Sequence, residues 1–304
     1  YIYTLNYPVQ EEDLCNLEMR SIFDKNPINK IIMSNIDFNP SDSAFIKGQL
    51  TPLYETDTFE EILKKLDEDK LKLEEFRIEL INELDTGIGY HERLPYFNQI
   101  GERIEGIPNV KNPKIRLGLG KLNDRWIFGF YKKNDALWMA HTNKPCSYSN
   151  SLSVRVARSL INIATNGDKT KTIIDPCCGV GTTIVEGLSM GYDICGTDIS
   201  PKNASNARKN LEFFNLEPRA KYQDMTTIQE KYDASIIDIP YGLFSHITRE
   251  QQQNIITKAK KISKKLVLIT FEDLDYMVNN ANFKIIDRCV VPKGKFKRYI
   301  LVCQ

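Results

Sequence analysis

The chain has 304 residues, which exceeds the usual single-domain size and is enough for two hydrophobic cores. Hydrophobic residues make up 41% and charged residues 27%, a balance that excludes a disordered chain and indicates a globular one. Residues 1–87 hold 9 basic and 19 acidic side chains, whereas residues 88–304 hold 32 and 21. The first part is therefore expected to repel phosphate, and the rest to attract it.

Cysteine and histidine usage limits the kinds of site that the chain can hold. The seven cysteines are irregularly spaced and form no CxxC pair, and there are only three histidines. This pattern argues against a zinc site and a disulfide framework, and it favours a reducing cytoplasm. No apolar run approaches the roughly 20 residues of a membrane span, and no signal-peptide pattern is present. We expect a cytoplasmic protein that needs neither a membrane nor a metal, with its oligomeric state left open.

The N-terminal half predicts a small α/β module. Strands are expected over 1–7, 31–36, 115–119, 126–131 and 137–141, and helices over 11–23 and 58–67, the latter capped by Thr56 or Asp57, while 75–84 fits either type. Asn112-Pro113 and Asn123-Asp124 mark turns between the later strands. A polar stretch over 142–149 then predicts a boundary, so we divide the chain into a substrate-binding region, 1–143, and a second domain, 144–304.

The C-terminal half predicts a parallel sheet. Strands over 172–175, 192–198, 232–238 and 266–270 alternate with helices over 181–190, 201–214 and 248–263. Ser200-Pro201 supplies an N-cap and a first-turn proline for the second of these helices. Segments 283–291 and 296–302 form a terminal hairpin with a basic group, Lys293, Lys295, Lys297 and Arg298, that either contacts phosphate or protects a sheet edge. The fold class is therefore α/β, with a Rossmann-like, mainly parallel sheet and an antiparallel terminal hairpin.

A glycine turn follows the first strand of this half. Gly179 and Gly181 let backbone N–H groups approach a ligand at a helix N-terminus, as in nucleotide-binding folds. The third glycine of G-x-G-x-x-G is replaced by Ile184, and Asp175 ends the strand. A carboxylate there is unsuited to a pyrophosphate but suits the cationic ammonium and sulfonium groups of S-adenosylmethionine. We interpret Cys177 and Cys178 as small residues that pack the turn.

Acids at the ends of the next two strands extend this cofactor site. Asp198 lies 17 residues beyond Gly181, at the position of an acid that binds ribose hydroxyls. Asp224 is placed to accept a hydrogen bond from the adenine amino group. The cofactor-binding residues predicted in these segments are Asp175, Cys177, Gly179, Gly181, Thr182, Thr183, Asp198, Ile199, Asp224 and Met225.

A second motif, Asp238-Ile239-Pro240-Tyr241, follows the strand over 232–238. The lone pair of an exocyclic base amine is delocalised into the ring, and acceptors for both N–H groups direct it towards a methyl donor. The Asp238 carboxylate and the Ile239 carbonyl supply two such acceptors, Pro240 stiffens the turn, and Tyr241 offers a stacking face. We predict these four residues to form the catalytic site of a base-amine methyltransferase.

The two motifs together resemble those of the tRNA guanine-N2 methyltransferases with an N-terminal THUMP domain, in particular the branch that acts on guanosine 10. Asp238-Ile239-Pro240-Tyr241 matches the family's [Asp/Asn]-Pro-Pro-Tyr motif, with Ile239 in place of the first proline. Residues 144–152 resemble the family's segment that closes over the methionine part of the cofactor, which adds Ser149 and Ser151 to the predicted site. The resemblance implies a class I methyltransferase domain, a THUMP-like RNA-binding module and a tRNA partner.

Three other functions stay open at this point. An N6-adenine methyltransferase on DNA or RNA uses the same motif. A non-catalytic cofactor-binding or nucleic-acid-binding relative would explain the loss of the proline at Ile239. A dehydrogenase shares the glycine turn but not the acid at Asp175.

Overall fold

A computed structural model describes residues 1–84, 86–89, 91–148, 151–240, 247–294 and 296–304. It divides the chain into two compact units. The first comprises Tyr1–Asn6, Pro27–Ser41 and Phe45–Asp135, and the second comprises Tyr7–Asn26, Asp42–Ala44 and Ala136–Gln304. The N-terminal helix α1 (Glu12–Phe23) thus packs with the C-terminal part of the chain. The functional boundary between residues 143 and 144 stays a prediction.

The first unit is built on a six-stranded mixed sheet. In sheet order β2-β1-β3-β6-β5-β4, its strands are β1 (Ile2–Leu5), β2 (Ile31–Met33), β3 (Ile46–Thr56), β4 (Phe76–Leu80), β5 (Ile115–Leu122) and β6 (Arg125–Lys133). Its neighbours pair antiparallel except β4 and β5, which are parallel. Helices α2 (Phe59–Asp69) and α3 (Arg93–Gly101) complete the unit, and α2 buries Phe59, Ile62 and Leu66 in its core.

Three local predictions for the N-terminal half differ from the structure. Thr58 caps α2, because its side chain accepts a hydrogen bond from the backbone N–H of Glu61 at 3.3 Å. Strand β3 was not predicted, since Pro52 interrupts its pattern, and the structure accommodates this proline at a register shift against β6. The strand predicted over 137–141 is wrong: Leu137–Asn143 is a 3-10 helix that follows Ala136 in the left-handed conformation.

The second unit is built on a seven-stranded sheet. Its strands are β7 (Thr172–Asp175), β8 (Asp193–Asp198), β9 (Ala220–Tyr222), β10 (Tyr232–Asp238), β11 (Ser263–Thr270), β12 (Ile285–Lys293) and β13 (Phe296–Cys303). Its helices are α4 (Val154–Thr165), α5 (Thr182–Ser189), α6 (Pro201–Phe213), α7 (Arg249–Ile262) and α8 (Asp275–Asn280). The sheet order is β12-β13-β11-β10-β7-β8-β9, and β13 pairs antiparallel with both neighbours. This is a Rossmann-like, mainly parallel topology with an antiparallel terminal hairpin, as the sequence predicts.

The order of the parallel strands reverses between β7 and β10. From β7 the chain continues outward through β8 to β9, and it then returns to β10 on the other side of β7. The loops that follow β7 and β10 therefore leave the sheet side by side and in opposite directions. Such a reversal opens a crevice at the carboxyl ends of the strands, where ligands bind in open α/β sheets.

A buried carboxylate joins α1 to α4. Glu18 is fully buried and accepts hydrogen bonds from Asn162 Nδ2 at 2.6 Å and from Ser43 Oγ at 3.1 Å. Burial raises the pKa of Glu18 to about 7, although the bonds from Asn162 and Ser43 and the charge of Arg158 lower it. The folded chain therefore holds a proton on Glu18 at a pH where the unfolded chain has lost it.

We expect Glu18→Gln to weaken the pH dependence of stability between about pH 4.5 and pH 7. Because the pKa is raised in the folded state, its contribution to the free energy of unfolding is complete below the unfolded pKa and is lost as pH rises through about 7. At about 1.4 kcal/mol per pKa unit, the loss is at most about 3 kcal/mol. Urea titrations across this pH range measure it, with Glu12→Gln on the exposed face of α1 as control. Equal slopes in wild type and Glu18→Gln would contradict the assignment.

Candidate active site

The carboxylate of Asp175 joins the end of β7 to the start of α5. Its Oδ1 accepts from the backbone N–H of Cys177 at 3.2 Å, and its Oδ2 accepts from the hydroxyl of Thr183. Burial raises the pKa of Asp175 to about 7; the two hydrogen bonds lower it, and the charges of Asp238 and Asp198 raise it. Asp175 thus links the glycine turn to α5 through these two hydrogen bonds. Its contact with a cationic cofactor stays a prediction.

The glycine turn adopts a backbone that side chains rarely tolerate. Gly179 has φ of 56° and Gly181 has φ of 76°, both in the left-handed region. A Cβ on Gly179 would collide with the hydroxyl of Tyr148, and one on Gly181 would lie 2.9 Å from the Cβ of Ala207. The two glycines therefore allow Tyr148 and α6 to approach the turn closely.

Asp198 connects the turn to the start of α6. Its Oδ2 accepts from the backbone N–H of Gly179 at 2.8 Å, and its Oδ1 accepts from the backbone N–H of Ser200 at 2.8 Å. Ser200 is the N-cap of α6, as predicted, and its Oγ accepts from the backbone N–H of Asn203. The Asp198 carboxylate is thus held in one orientation at the end of β8.

A pocket of about 750 Å³ opens at the carboxyl ends of β7, β8 and β10. Nine of the predicted site residues line it: Cys177, Gly179, Asp198, Ile199, Asp224, Met225, Asp238, Ile239 and Pro240. The structure therefore brings the glycine turn, the two later acids and the catalytic motif to one cavity. Its volume is within the range of about 300–1,000 Å³ that is typical of small-molecule sites.

The remaining predicted residues occupy other places. Asp175 and Thr183 bond to each other beneath the turn, Gly181 is the N-cap of α5, and the Thr182 hydroxyl is buried without a partner among the described residues. The hydroxyl of Ser151 donates to the carbonyl of Tyr148 at 2.8 Å. Ser149 and Tyr241 lie outside the described residues. The roles predicted for these residues stay predictions.

Hydrogen bonds to β11 and to α7 hold the Asp238-Ile239-Pro240 segment. The backbone N–H of Ile239 donates to the carbonyl of Ile269 on β11 at 3.0 Å, which extends the strand pairing past Asp238. The Ile239 side chain is completely buried in the core cluster beneath the sheet. The carbonyl of Pro240 accepts from Gln252 Nε2 on α7 at 2.9 Å. Core burial at Ile239 therefore anchors the segment where the related motif has a proline.

Three aspartate side chains lie near the phenol of Tyr148, which lines the pocket. Burial raises the pKa of Tyr148, and the charges of Asp238, Asp198 and Asp175 raise it further, in that order. The phenol is consequently neutral, and three carboxylates lie near it. A cavity with this charge pattern is suited to a cationic ligand.

The cysteines of the glycine turn are unsuited to nucleophilic chemistry. Burial raises the pKa of the Cys177 and Cys178 thiols well above their usual range, so neither is an activated nucleophile. Among the residues that the structure describes, no three His, Cys, Asp or Glu side chains are grouped so as to hold a metal ion. That the reaction needs no metal stays a prediction.

Sequence reasoning missed three kinds of residue at this site. Gln251, Asn254 and Ile255 line the pocket from α7, a helix that follows the catalytic motif and carried no motif of its own. Tyr148 lies in the segment 144–152 but was not assigned a role. Arg298 was grouped with the basic hairpin, yet it is only 3% exposed and its Nη2 lies 3.9 Å from Asp238 Oδ2. Its spacing of two and four residues from Ile300 and Val302 was the available signal for an inward side chain.

Comparison with known proteins agrees with this geometry. Residues 142–275 match the UPF0020 family, described as RMKL-like, methyltransferase domain. The chain is 30% identical over 146 residues to a tRNA (guanine(10)-N2)-dimethyltransferase of Methanothermobacter thermautotrophicus, a match that covers 44% of this chain and 42% of that protein. A protein of the same name from Pyrococcus abyssi is 28% identical over 116 residues, covering 36% of this chain and 34% of that one. The matches thus span less than half the length of these relatives.

A solved structure extends the likeness in fold to the whole chain. TrmN from Thermus thermophilus superposes with a TM-score of 0.50 and 14% identity, covering 100% of this chain and 98% of that one. At this identity the likeness concerns the fold alone. Among the described residues, no helix is both long and apolar enough to cross a membrane.

We expect Asp198→Asn to weaken binding of S-adenosylhomocysteine by about 10- to 100-fold, because hydrogen bonds to a charged acceptor contribute about 1.5–3 kcal/mol. Titration calorimetry measures the dissociation constant. Asp193→Asn, at the exposed start of the same strand, removes a carboxylate that pairs with Arg219 and serves as control. Equal dissociation constants for wild type and Asp198→Asn would contradict the ribose-binding role.

Proposed function

We propose that this chain, whose residues 142–275 form a methyltransferase domain of the UPF0020 family, methylates the N2 amine of a guanosine in tRNA with S-adenosylmethionine as methyl donor. The observation that carries the proposal is one pocket that joins Asp198 and Asp224 to the Asp238-Ile239-Pro240 segment. The first pair suits a nucleoside cofactor, and the segment suits an aromatic amine. The names of the relatives favour guanosine over adenosine as the acceptor.

The residues present fit the cofactor by their chemistry. Asp198 would hold the ribose hydroxyls, and Asp224, exposed at the pocket edge, would accept from the adenine amine. Met225, Ile199 and Ile255 provide the apolar surface for the adenine ring. The negative charge of the pocket matches the positive charge of the sulfonium and ammonium groups. When bound, the cofactor supplies an electrophilic methyl group.

The catalytic segment would act by orienting the acceptor amine. One N–H donates to the Asp238 carboxylate and the other to the Ile239 carbonyl, so that the nitrogen lone pair leaves conjugation with the ring. The bonds of Ile239 to β11 and of Pro240 to α7 hold these acceptors in place before the base arrives. Preorganised acceptors of this kind lower the barrier because they need no rearrangement during the reaction. Tyr241 is proposed to stack on the base.

We further propose that the N-terminal module binds tRNA as a THUMP-like domain and that the protein acts in the cytoplasm. Among the described residues no disulfide joins two cysteines, and this supports the proposal of a reducing compartment. If the target base is stacked in a helix of the RNA, it would have to be flipped out to enter the pocket.

We expect the protein to form N2-methylguanosine in a tRNA transcript, and Asp238→Ala to lower the rate by on the order of 10²–10³-fold, the effect of removing one preorganised group. Mass spectrometry of digested nucleosides identifies the product. Asp233→Asn, at the other end of β10 and paired with Lys264, is the matched control. Replacing the target guanosine by inosine, which lacks the N2 amine, should abolish the product.

Other products would point elsewhere. N6-methyladenosine in the same transcript would favour an adenine methyltransferase. Binding of S-adenosylhomocysteine without any methylated nucleoside would favour a non-catalytic relative. Either result contradicts the proposed function.

We also expect binding of S-adenosylmethionine to release protons near pH 7. The pKa of Asp175 is about 7 without a ligand, and a nearby positive charge favours the ionised carboxyl, so binding lowers this pKa. Calorimetry in two buffers with different heats of ionisation measures the release. Asp175→Asn should reduce it, and S-adenosylhomocysteine, which lacks the sulfonium charge, should release less. An unchanged buffer dependence in Asp175→Asn would assign the proton to another group.

A further inference from the structure

Arg298 and Asp238 lie at the same end of the sheet, where β10 ends and β13 begins, although they are 60 positions apart in the sequence. Asp238 on β10 pairs with Ile269 on β11, and Ile269 pairs with Ile300 on β13. Arg298 precedes Ile300 by two residues and so lies on the same face of the sheet. Because β13 runs antiparallel to β11, its first residues lie at the end of the sheet where β10 and β11 finish. The register of the three strands thus brings the two side chains together.

The Arg298 guanidinium is buried beside this carboxylate. The residue is 3% exposed, and its Nη2 lies 3.9 Å from Asp238 Oδ2. Its Nε and Nη2 have no hydrogen-bond partner among the residues that the structure describes, and its guanidinium carbon lies 5.2 Å from the centre of the Phe271 ring. A buried guanidinium is costly unless it is paired with an anion. Stacking on Phe271 and the charge of Asp238 are the interactions that offset this cost.

The charge of Arg298 opposes a repulsion within the site. Asp175, Asp198 and Asp238 interact with one another and with Tyr148 through their charges. Like charges at short distance disfavour ionisation, and a nearby cation favours it. A protonated Asp238 would lose one of its acceptor oxygens, so the proposed reaction requires the charged form.

We propose that Arg298 is a positioning residue for the methyl transfer proposed above, on which this inference rests: it keeps the Asp238 carboxylate charged, so that both of its oxygens can accept from the acceptor amine. A guanidinium is always charged, so at 3.9 Å it favours the ionised form of the Asp238 carboxyl group. Arg298 acts through Asp238 and does not itself contact the reacting atoms. Its buried position distinguishes it from Lys297 of the same hairpin, which is exposed.

The test compares three variants with wild type. Arg298→Met keeps the apolar stem over Phe271 but removes the charge, and Arg298→Lys keeps the charge without the planar fork. Arg288→Met removes an arginine from β12 that is half exposed and pairs with Asp275, and it is the matched control. For each protein, kcat and KM are measured with the tRNA transcript, and the dissociation constant of S-adenosylhomocysteine is measured by calorimetry.

We expect Arg298→Met to lower kcat by on the order of 10²-fold, as for a misplaced catalytic group. KM and the dissociation constant should change little, Arg298→Lys should recover part of the rate, and Arg288→Met should match wild type. A purely structural role would lower the folded fraction and leave the kcat of the folded enzyme intact. Wild-type kcat in Arg298→Met would overturn the proposal.

A second measurement separates this inference from the proposed function. The free energy of unfolding is measured for Arg298→Met, Asp238→Asn and the double variant. If Arg298 and Asp238 form a charge pair, the two effects are not additive, because removing the Asp238 charge leaves the buried guanidinium without its counter-charge. If wild type methylates no nucleoside, the proposed function fails, and this cycle alone decides whether Arg298 holds Asp238. Additive effects would overturn the pairing.

Discussion

The reversal of strand order between β7 and β10 is the constraint on which the site depends. It forces the loops after these two neighbouring strands to diverge, and the pocket occupies the space between them. The glycine turn and the Asp238-Ile239-Pro240 segment come from these two loops, so their meeting at one pocket follows from the topology of the sheet. The core packing of Ile239 and the carboxylate of Asp175 then fix the two loop starts in position.

Electrostatics at this crevice has a simple physical organisation. Three strand ends each deliver one carboxylate, because Asp175, Asp198 and Asp238 terminate β7, β8 and β10. Partial burial in a common region makes their charges mutually unfavourable, and the energy gained by a cationic ligand rises accordingly. The antiparallel strand β13 supplies a buried guanidinium, that of Arg298, at the same end of the sheet as Asp238.

Local patterns predicted much of this, and long-range contacts account for the rest. The glycine turn, the acids Asp198 and Asp238 and the cap at Ser200 are readable because each depends on a few neighbouring residues. The short helix at Leu137–Asn143 alternates like a strand, so periodicity alone misassigns it. The lysines around Arg298 indicate a basic surface. Its contact with Asp238 depends on the long-range pairing of β10 with β11 and of β11 with β13. The contribution of α7 to the pocket wall likewise has no local signal.

The packing of α1 has a consequence for how the chain folds during synthesis. Glu18 bonds to Asn162, 144 positions later, and α1 buries Leu14, Leu17 and Ile22 in the second unit. Helix α1 is synthesised well before α4, so its apolar face lacks this packing partner until α4 has been made. At about 5–20 residues per second, the 144 positions between Glu18 and Asn162 take about 7–30 seconds to synthesise, long enough for a chaperone to engage the nascent chain. Helix α1 therefore reaches these native contacts only after the chain has been made as far as α4.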